Sequence, residues 1–312
     1  MATGKYNGQS LLKRSSYLQR TWMLYAMLIL PVAFFAIFRY VPMANIVIAF
    51  KDYSIFHKNV WEAPWVGFKW FNQAFHSQDF YIALRNTLWL NFLGLVFGFP
   101  APIILAIFLN ELAFKRFKKV TQTVVYLPHF ISWIIISGMA VQLFATNGGV
   151  VNIMLGKLGF GPINFLMDPS MWVVTYIGLG VWKDMGWGTI IYLAAITGIN
   201  SELYEAAEVD GAGRWGKIWH VTLPGILPTI VVLLILNLGS MLGSEFDRPF
   251  AMVNPMVLKV GDVISTMVYR VGIRSFQFSL TAAIGLFQSV VCVIFLLTAN
   301  FIAKRAGERG IM

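Results

Sequence analysis

The sequence predicts an all-α polytopic membrane protein with six transmembrane helices. Three observations carry that expectation. Of the 312 residues, 58% are apolar and only 12% are charged, about half the charged share of an ordinary soluble domain. Uncharged runs long enough to span a bilayer recur along the chain. The formal charge of +10 comes from basic residues scattered between those runs. That distribution suits topology and contact with anionic lipid, and not nucleic acid.

Taken in order, residues 1–21 form an N-terminal tail. The first apolar run, about Trp22 to Tyr40, is too long for a signal h-region and lacks a small-residue cleavage site. It is expected to be a retained helix. The second span runs about Thr87 to Asn110, the third Thr123 to Ala145 and the fourth Met171 to Thr197. The fifth runs Gly225 to Gly243 and the sixth Leu280 to Ala303. Each reaches roughly the 20 residues a bilayer needs. Pro31, Pro100 and Pro102 lie within spans, where neighbouring groups re-satisfy the backbone. The domain organisation expected is thus a tail at 1–21, a six-helix domain at 22–303 and a tail at 304–312. The single Cys292 sits inside an apolar run, which excludes a disulfide framework or a cysteine metal cluster.

Lys and Arg near span ends set the orientation. Lys5, Lys13, Arg14 and Arg20 precede span one, and Lys115, Arg116, Lys118 and Lys119 lie between spans two and three. Lys304, Arg305 and Arg309 follow span six. With six spans all three groups share one side, and the positive-inside rule makes it the cytoplasm. Both termini and the connection at about 198–225, with its Arg214 and Lys217, are then cytoplasmic. The outer loops also carry basic residues, but they are long and count little in the rule. Residues 41–86, with Trp61, Trp65 and Trp70, read as an aromatic belt or small cap. Residues 244–279 read as a second polar outer loop.

The 198–225 connection is far more organised than an ordinary loop. Ser201 is a candidate N-cap, and Glu205 and Glu208 follow in the first turns, where acids suit the helix dipole. Ala206 and Ala207 are strong helix formers with little bulk, so another protein's groove can approach the backbone closely. Asp210 precedes Gly211, which with Gly213 can stop the helix and turn the chain. Leu223-Pro224 then marks the start of the next helix. An amphipathic helix resting on lipid is the plainer alternative, but its apolar face is small for that.

Gly211 to Gly216 also matches G-x-G-x-x-G, and Gly211 to Lys217 matches G-x-x-x-x-G-K with Ile218 where Ser or Thr belongs. Both motifs require a preceding strand, whereas the residues here are helical in character. The chain is expected to bind no nucleotide, metal or other cofactor and to have no catalytic residues.

Glu205-Ala206-Ala207, Gly211 and, after nine further residues, Val221 and Leu223-Pro224 resemble the EAA loop of binding-protein-dependent ABC importer permeases, with Val for Ile at one anchor. Asp210-Gly211-Ala212 resembles the sugar-permease version. Val66-Gly67-Phe68, Asn86-Thr87, the Trp182 to Trp187 and Ile191 to Ala195 stretches, Asn254-Pro255 and Gly285-Leu286-Phe287 are similar to maltose-type permeases and to a subgroup handling oligosaccharides. Together these pieces cover roughly residues 20–305. The resemblance implies a type I ABC importer permease fold with a cytoplasmic coupling helix, in the bacterial cytoplasmic membrane. It implies a second, homologous permease chain as partner, two ATP-binding subunits that hold ATP and Mg, and an extracellular or periplasmic solute-binding protein. Glu205, Ala206, Ala207, Asp210, Gly211, Leu223 and Pro224 would meet the ATPase.

Polar residues inside spans usually face a bundle interior or cavity. Lys183, Asp184, Trp187 and Tyr192 in span four, Asn237 in span five and Gln288 in span six are the candidate substrate pathway. Aromatic faces with hydrogen-bonding neighbours suit sugars. Lys183 and Asp184 would alternatively form a structural ion pair, and Asn237 and Gln288 interhelical hydrogen bonds. Glu245 and Asp247 would touch the binding protein or form local salt bridges. Lys183, Arg248, Arg270 and Arg274 would favour an acidic oligosaccharide. A non-sugar cargo stays open. A secondary transporter would show an internal repeat, and an intramembrane protease paired aspartates or a Ser/His dyad; neither pattern is present in the sequence.

Overall fold

Helix after helix follows the apolar runs in a computed structural model of the chain. It describes the backbone of residues 8–243, 245–305 and 307, and side chains from residue 21 onward. Lys5 and Arg309, and the side chains of Lys13, Arg14 and Arg20, lie outside the described residues. Helix α1 starts at Gly8 and carries the apolar span Thr21–Phe50, α2 occupies Lys69–Phe75 and α3 Gln78–Glu111. Helices α4 (Lys115–Phe130) and α5 (Trp133–Phe144) follow, then α6 (Val150–Lys157) and α7 (Pro169–Thr197). A short α8 (Ser201–Val209) precedes α9 (Arg214–Gly239), α10 (Asp247–Met252), α11 (Ile264–Val268) and α12 (Phe278–Arg305). Among the described residues the β-structure consists of an isolated bridge between Lys51 and Trp65.

By length and composition α1, α3, α9 and α12 can cross a bilayer, and the α4–α5 pair adds a fifth crossing if it acts as one span. Helix α7 has the length, 29 residues, but carries Lys183 and Asp184 at its centre. The expected single span from Thr123 to Ala145 is corrected: α4 and α5 meet at 103°. Pro128 removes an N–H there, Ile131 is extended, and Ser132 caps α5 by accepting from the Ile135 N–H.

Three other helices carry a wide π turn just ahead of a proline. These turns cover Ala36–Tyr40 before Pro42, Gly94–Gly98 before Pro100 and Ile218–Thr222 before Pro224. A proline has no N–H and its ring crowds the carbonyl one turn back. Widening that turn lets the helix pass through the proline unbroken. Leu223-Pro224 is therefore not a helix start, as its sequence suggested. It lies inside α9, which begins at Arg214.

The core gathers around α7. Trp172, Tyr176 and Ile177 pack with Leu90, Trp133 and Ile136, and with Met252, Val257 and Val263. A second cluster joins Phe80 and Ala83 to Ile264, Met267 and Ile284. Both clusters draw on residues 244–279, so that segment is no free outer loop. It folds back onto the bundle and buries short apolar groups, among them Met252, Val257, Val263, Ile264 and Met267. Asn86 and Thr87 clasp it: the Asn86 amide donates to the Lys259 and Asp262 carbonyls, and the Ile264 N–H donates to Thr87 Oγ1 at 2.9 Å. Helix α1 stands apart. Its apolar stretch is exposed throughout, and it joins the bundle through residues 44–50, which pack on α12.

Candidate functional site

Two places hold the sequence-selected residues: a hairpin at 198–217 and a cavity beside the middle of α7. The hairpin begins where α7 ends at Thr197. Asn200, one residue before the expected Ser201, caps α8, its side chain accepting from the Glu202 N–H at 3.1 Å. The correction is local, since Asn is as good a cap as Ser. The helix ends as the sequence suggested. Gly211 has φ +81°, its N–H donates to Glu208 O at 3.0 Å, and the Ala212 N–H donates to Ala207 O at 2.8 Å. This pair of bonds is a Schellman cap, which demands a left-handed residue at the glycine position. Gly213, at φ −70°, opens α9.

Glu205, Ala206, Asp210 and Gly211 are solvent-exposed and Ala207 is partly so. Leu203 and Val209 are exposed as well. At its root Ile199 packs against the core cluster of α3, α7 and α9, and two polar contacts brace the rest. Tyr204 shares a 3.0 Å hydrogen bond with Thr222, and Lys217 Nζ donates to Glu208 Oε2 at 2.7 Å. That hydrogen bond and the ammonium charge hold the Glu208 carboxyl below the usual carboxylate range. Lys217, the lysine of the nucleotide-like pattern, is thus engaged, and a helix stands where that pattern needs a strand. Leu223 is half-buried and Pro224 exposed.

The cavity holds about 340 Å³, within the range of small-molecule sites. Its walls come from α3 (Gly94, Gly98, Phe99, Pro102), α7 (Gly180, Asp184, Gly188, Tyr192), α9 (Leu233, Asn237) and Arg248 of α10. Three of the six predicted pathway residues, Asp184, Tyr192 and Asn237, line it. The Asp184 side chain is 55% exposed and its carboxylate meets His129 Nδ1 at 3.2 Å. Asn237 donates to Leu233 O one turn back at 2.9 Å.

The other three are placed elsewhere. Lys183 is buried, and its Nζ donates to His129 O at 2.6 Å. It therefore satisfies a carbonyl at the broken end of α4, a common use of a cation at a helix C-terminus, and it does not pair with Asp184. Trp187 lies flat on His129, with ring centroids 4.6 Å apart. The Gln288 amide donates to Leu242 O, so it ties α12 to the turn that follows α9.

Sequence reasoning set Arg248 near the outer face. It reaches the cavity instead, because α10 folds inward. Its guanidinium carbon lies 3.8 Å from the Tyr176 ring centre and 5.0 Å from that of Trp133. It donates to Tyr176 O, and Nη1 stands 3.6 Å from Glu245 Oε2. Glu245 thus forms a local salt bridge, one of its two expected roles. A Cβ at Gly180 would overlap the guanidinium, so the absence of a side chain there makes room for it. An arginine directly ahead of an apolar stretch, Pro249 to Val253, was the available signal.

The comparisons agree with this architecture. Residues 98–308 match the family described as binding-protein-dependent transport system inner membrane component. The chain is 43% identical over 294 residues to protein LplB of Bacillus subtilis, covering 94% of this chain and 92% of LplB. It is 43% identical over 288 residues to YteP of Bacillus subtilis, a polygalacturonan/rhamnogalacturonan transport system permease protein, covering 92% and 89% of the two chains. A chain in the crystal structure of a bacterial alginate ABC transporter, in complex with an alginate pentasaccharide-bound periplasmic protein, superposes with a TM-score of 0.86. Its identity is 41%, over 95% of this chain and 99% of that one. The match of the family across more than half the chain, with such relatives along nearly its whole length, shows that this protein belongs to the binding-protein-dependent transport system inner membrane components.

Proposed function

We propose that this chain is one permease half of an ATP-driven ABC importer for oligosaccharides. Six crossings, α1, α3, the bent α4–α5 pair, α7, α9 and α12, would form the transmembrane domain at 22–303, with both termini in the cytoplasm. A second permease chain completes the pathway, two separate subunits bind ATP and Mg, and a solute-binding protein delivers the cargo. The names of YteP and of the alginate transporter, which handle polymers of sugar units, support the cargo class.

One observation carries the reading: the capped, exposed hairpin at 198–217 sits directly between the two long helices that wall the cavity. In this role Glu205, Ala206, Ala207, Asp210 and Gly211 face the ATPase, while Leu223 and Pro224 carry the chain into α9. Closure of the ATPases then moves α7 and α9 as stiff levers and switches access to the cavity between the membrane's two sides. Reconstitution tests this. The permease pair, its ATPases and its binding protein in proteoliposomes should take up labelled oligosaccharide only with ATP and binding protein present. Uptake driven by an ion gradient without the ATPases would make the chain a secondary transporter and overturn the proposal.

A further inference from the structure

We infer that Arg248 is the anion-selecting residue of the cavity, and that the cargo is an oligosaccharide bearing carboxylates, such as a chain of uronic acids. This rests on the oligosaccharide reading above and sharpens it.

Four cations were candidates for meeting an acidic sugar, and the structure removes three. Lys183 is buried against the His129 carbonyl. Arg270 is held by Asp262 at 2.7 Å. Arg274 lies over the Tyr269 ring. Arg248 alone among them borders the cavity.

Its setting is built to present a guanidinium. The Tyr176 and Trp133 rings flank it, Gly180 leaves room for it, and the Tyr176 carbonyl takes one of its N–H groups. Its bonding capacity is not filled. Nε is buried without a hydrogen-bond partner, and a buried donor left unsatisfied is unfavourable. The Glu245 contact, at 3.6 Å, is longer than a tight N–H to carboxylate bond, and Glu245 borders a separate small recess. A planar guanidinium with spare donors matches a carboxylate's two oxygens. A small rotation toward the cavity frees Nε and brings a second donor to such a ligand.

The remaining polar groups suit the rest of a sugar. Asp184 is the carboxylate on the cavity wall, and its half-exposed oxygens accept from hydroxyls. One of its oxygens also meets His129 Nδ1. A uronate unit carries both features, one anionic group and several hydroxyl donors. A neutral sugar would leave Arg248 unmatched.

The test is uptake by the complete importer in proteoliposomes, using uronic acid tetramers (galacturonate and mannuronate) and their methyl esters. The ester keeps the sugar backbone and removes the charge. Uptake is normalised to occupancy of the binding protein, titrated separately for each compound. Arg248→Gln should lower uptake of the charged tetramer roughly tenfold or more, the scale of one charge-assisted pair. It should change uptake of the ester far less, and Arg248→Lys should restore part of the loss. Co-purification with the ATPase subunits checks that the variants assemble. If Arg248→Gln lowers both compounds equally, or neither, the selective role is overturned while oligosaccharide import stands. If the wild-type importer takes up the ester as well as the acid at equal occupancy, the carboxylate preference is overturned. If it takes up no saccharide of either kind, the oligosaccharide reading falls, and this inference with it.

Discussion

Replacing Gly211 with alanine isolates the turn that closes the hairpin. At φ +81° an L-residue costs roughly 1–2 kcal/mol. A Cβ there would meet nothing within 4 Å, so the cost is conformational and not steric. The hydrogen bond shared by Tyr204 and Thr222 contributes only about 0.5–1.5 kcal/mol, so the strain rivals a bond that holds α8 in place. The population of the native turn should then fall by a factor of roughly 5–30. Gly213 provides the control. Its φ of −70° is ordinary and a Cβ there also meets open space, so Gly213→Ala carries no strain. Gly211→Asn should be intermediate, because Asn tolerates the left-handed region. The assay is sugar imported per ATP hydrolysed in the reconstituted importer. Gly211→Ala should lower that ratio several-fold with the complex still assembled, and Gly213→Ala should leave it near wild type. Equal effects at the two glycines would refute the argument, since only one of them carries strain.

Cysteine labelling tests the cavity: Asp184→Cys and Asn237→Cys should react with a membrane-impermeant thiol reagent in at least one transport state, on a Cys292→Ser background. Lys183→Cys should stay inert, and the opposite pattern would overturn the assigned wall. The Lys217 ammonium lowers the Glu208 carboxyl, so their link is present above the ordinary carboxylate range and is lost as pH falls through the lowered native value. Hydrogen exchange across 201–217 should therefore speed up on acidification, and Glu208→Gln should flatten that dependence; an unchanged profile in the variant would count against the link. Trp172 is fully buried and its Nε1 donates to Met252 O at 3.0 Å. Trp172→Phe leaves that carbonyl unpaired at about 1–3 kcal/mol, so the thermal midpoint in detergent should drop; no drop would mean that the carbonyl is re-satisfied.

The long helices and the hairpin were legible because their signals are local. An apolar run of bilayer length needs no partner to be recognised, and a left-handed glycine after a short helix is written in adjacent residues. The bend at Ile131–Ser132 was hidden for the opposite reason. Residues on both sides are apolar, so hydropathy runs straight through a break that Pro128 and the Ser132 cap create together. Lys183 shows the same limit. A lysine in mid-span reads as cavity-facing until the broken helix end it satisfies is known, and that end lies on another segment. The polar look of residues 244–279 concealed an inward fold, because its apolar residues fall in short groups below the length of a span. Arg248 was misplaced with that segment.

Cavity and hairpin share the same two helices, and this ties the cargo to the proposed stroke. From Asp184 to Thr197 α7 rises about 20 Å at about 1.5 Å per residue, with no break before the turn to Asn200. Helix α9 runs from Arg214 past Pro224 and Pro228 to Asn237, its π turn absorbing the first of the two prolines. A displacement of the hairpin therefore reaches Asp184 and Asn237 through helical backbone and not through a soft loop. Arg248 is attached differently. It stands on α10, outside both helices, and holds α7 by the Tyr176 carbonyl and by its fit against Gly180. When α7 moves, the Arg248 contacts must stretch or follow. The cavity's cation thus sits across the joint between the helix that the proposed stroke would drive and the segment packed on it, where a change of access would also change the proposed grip on a carboxylate.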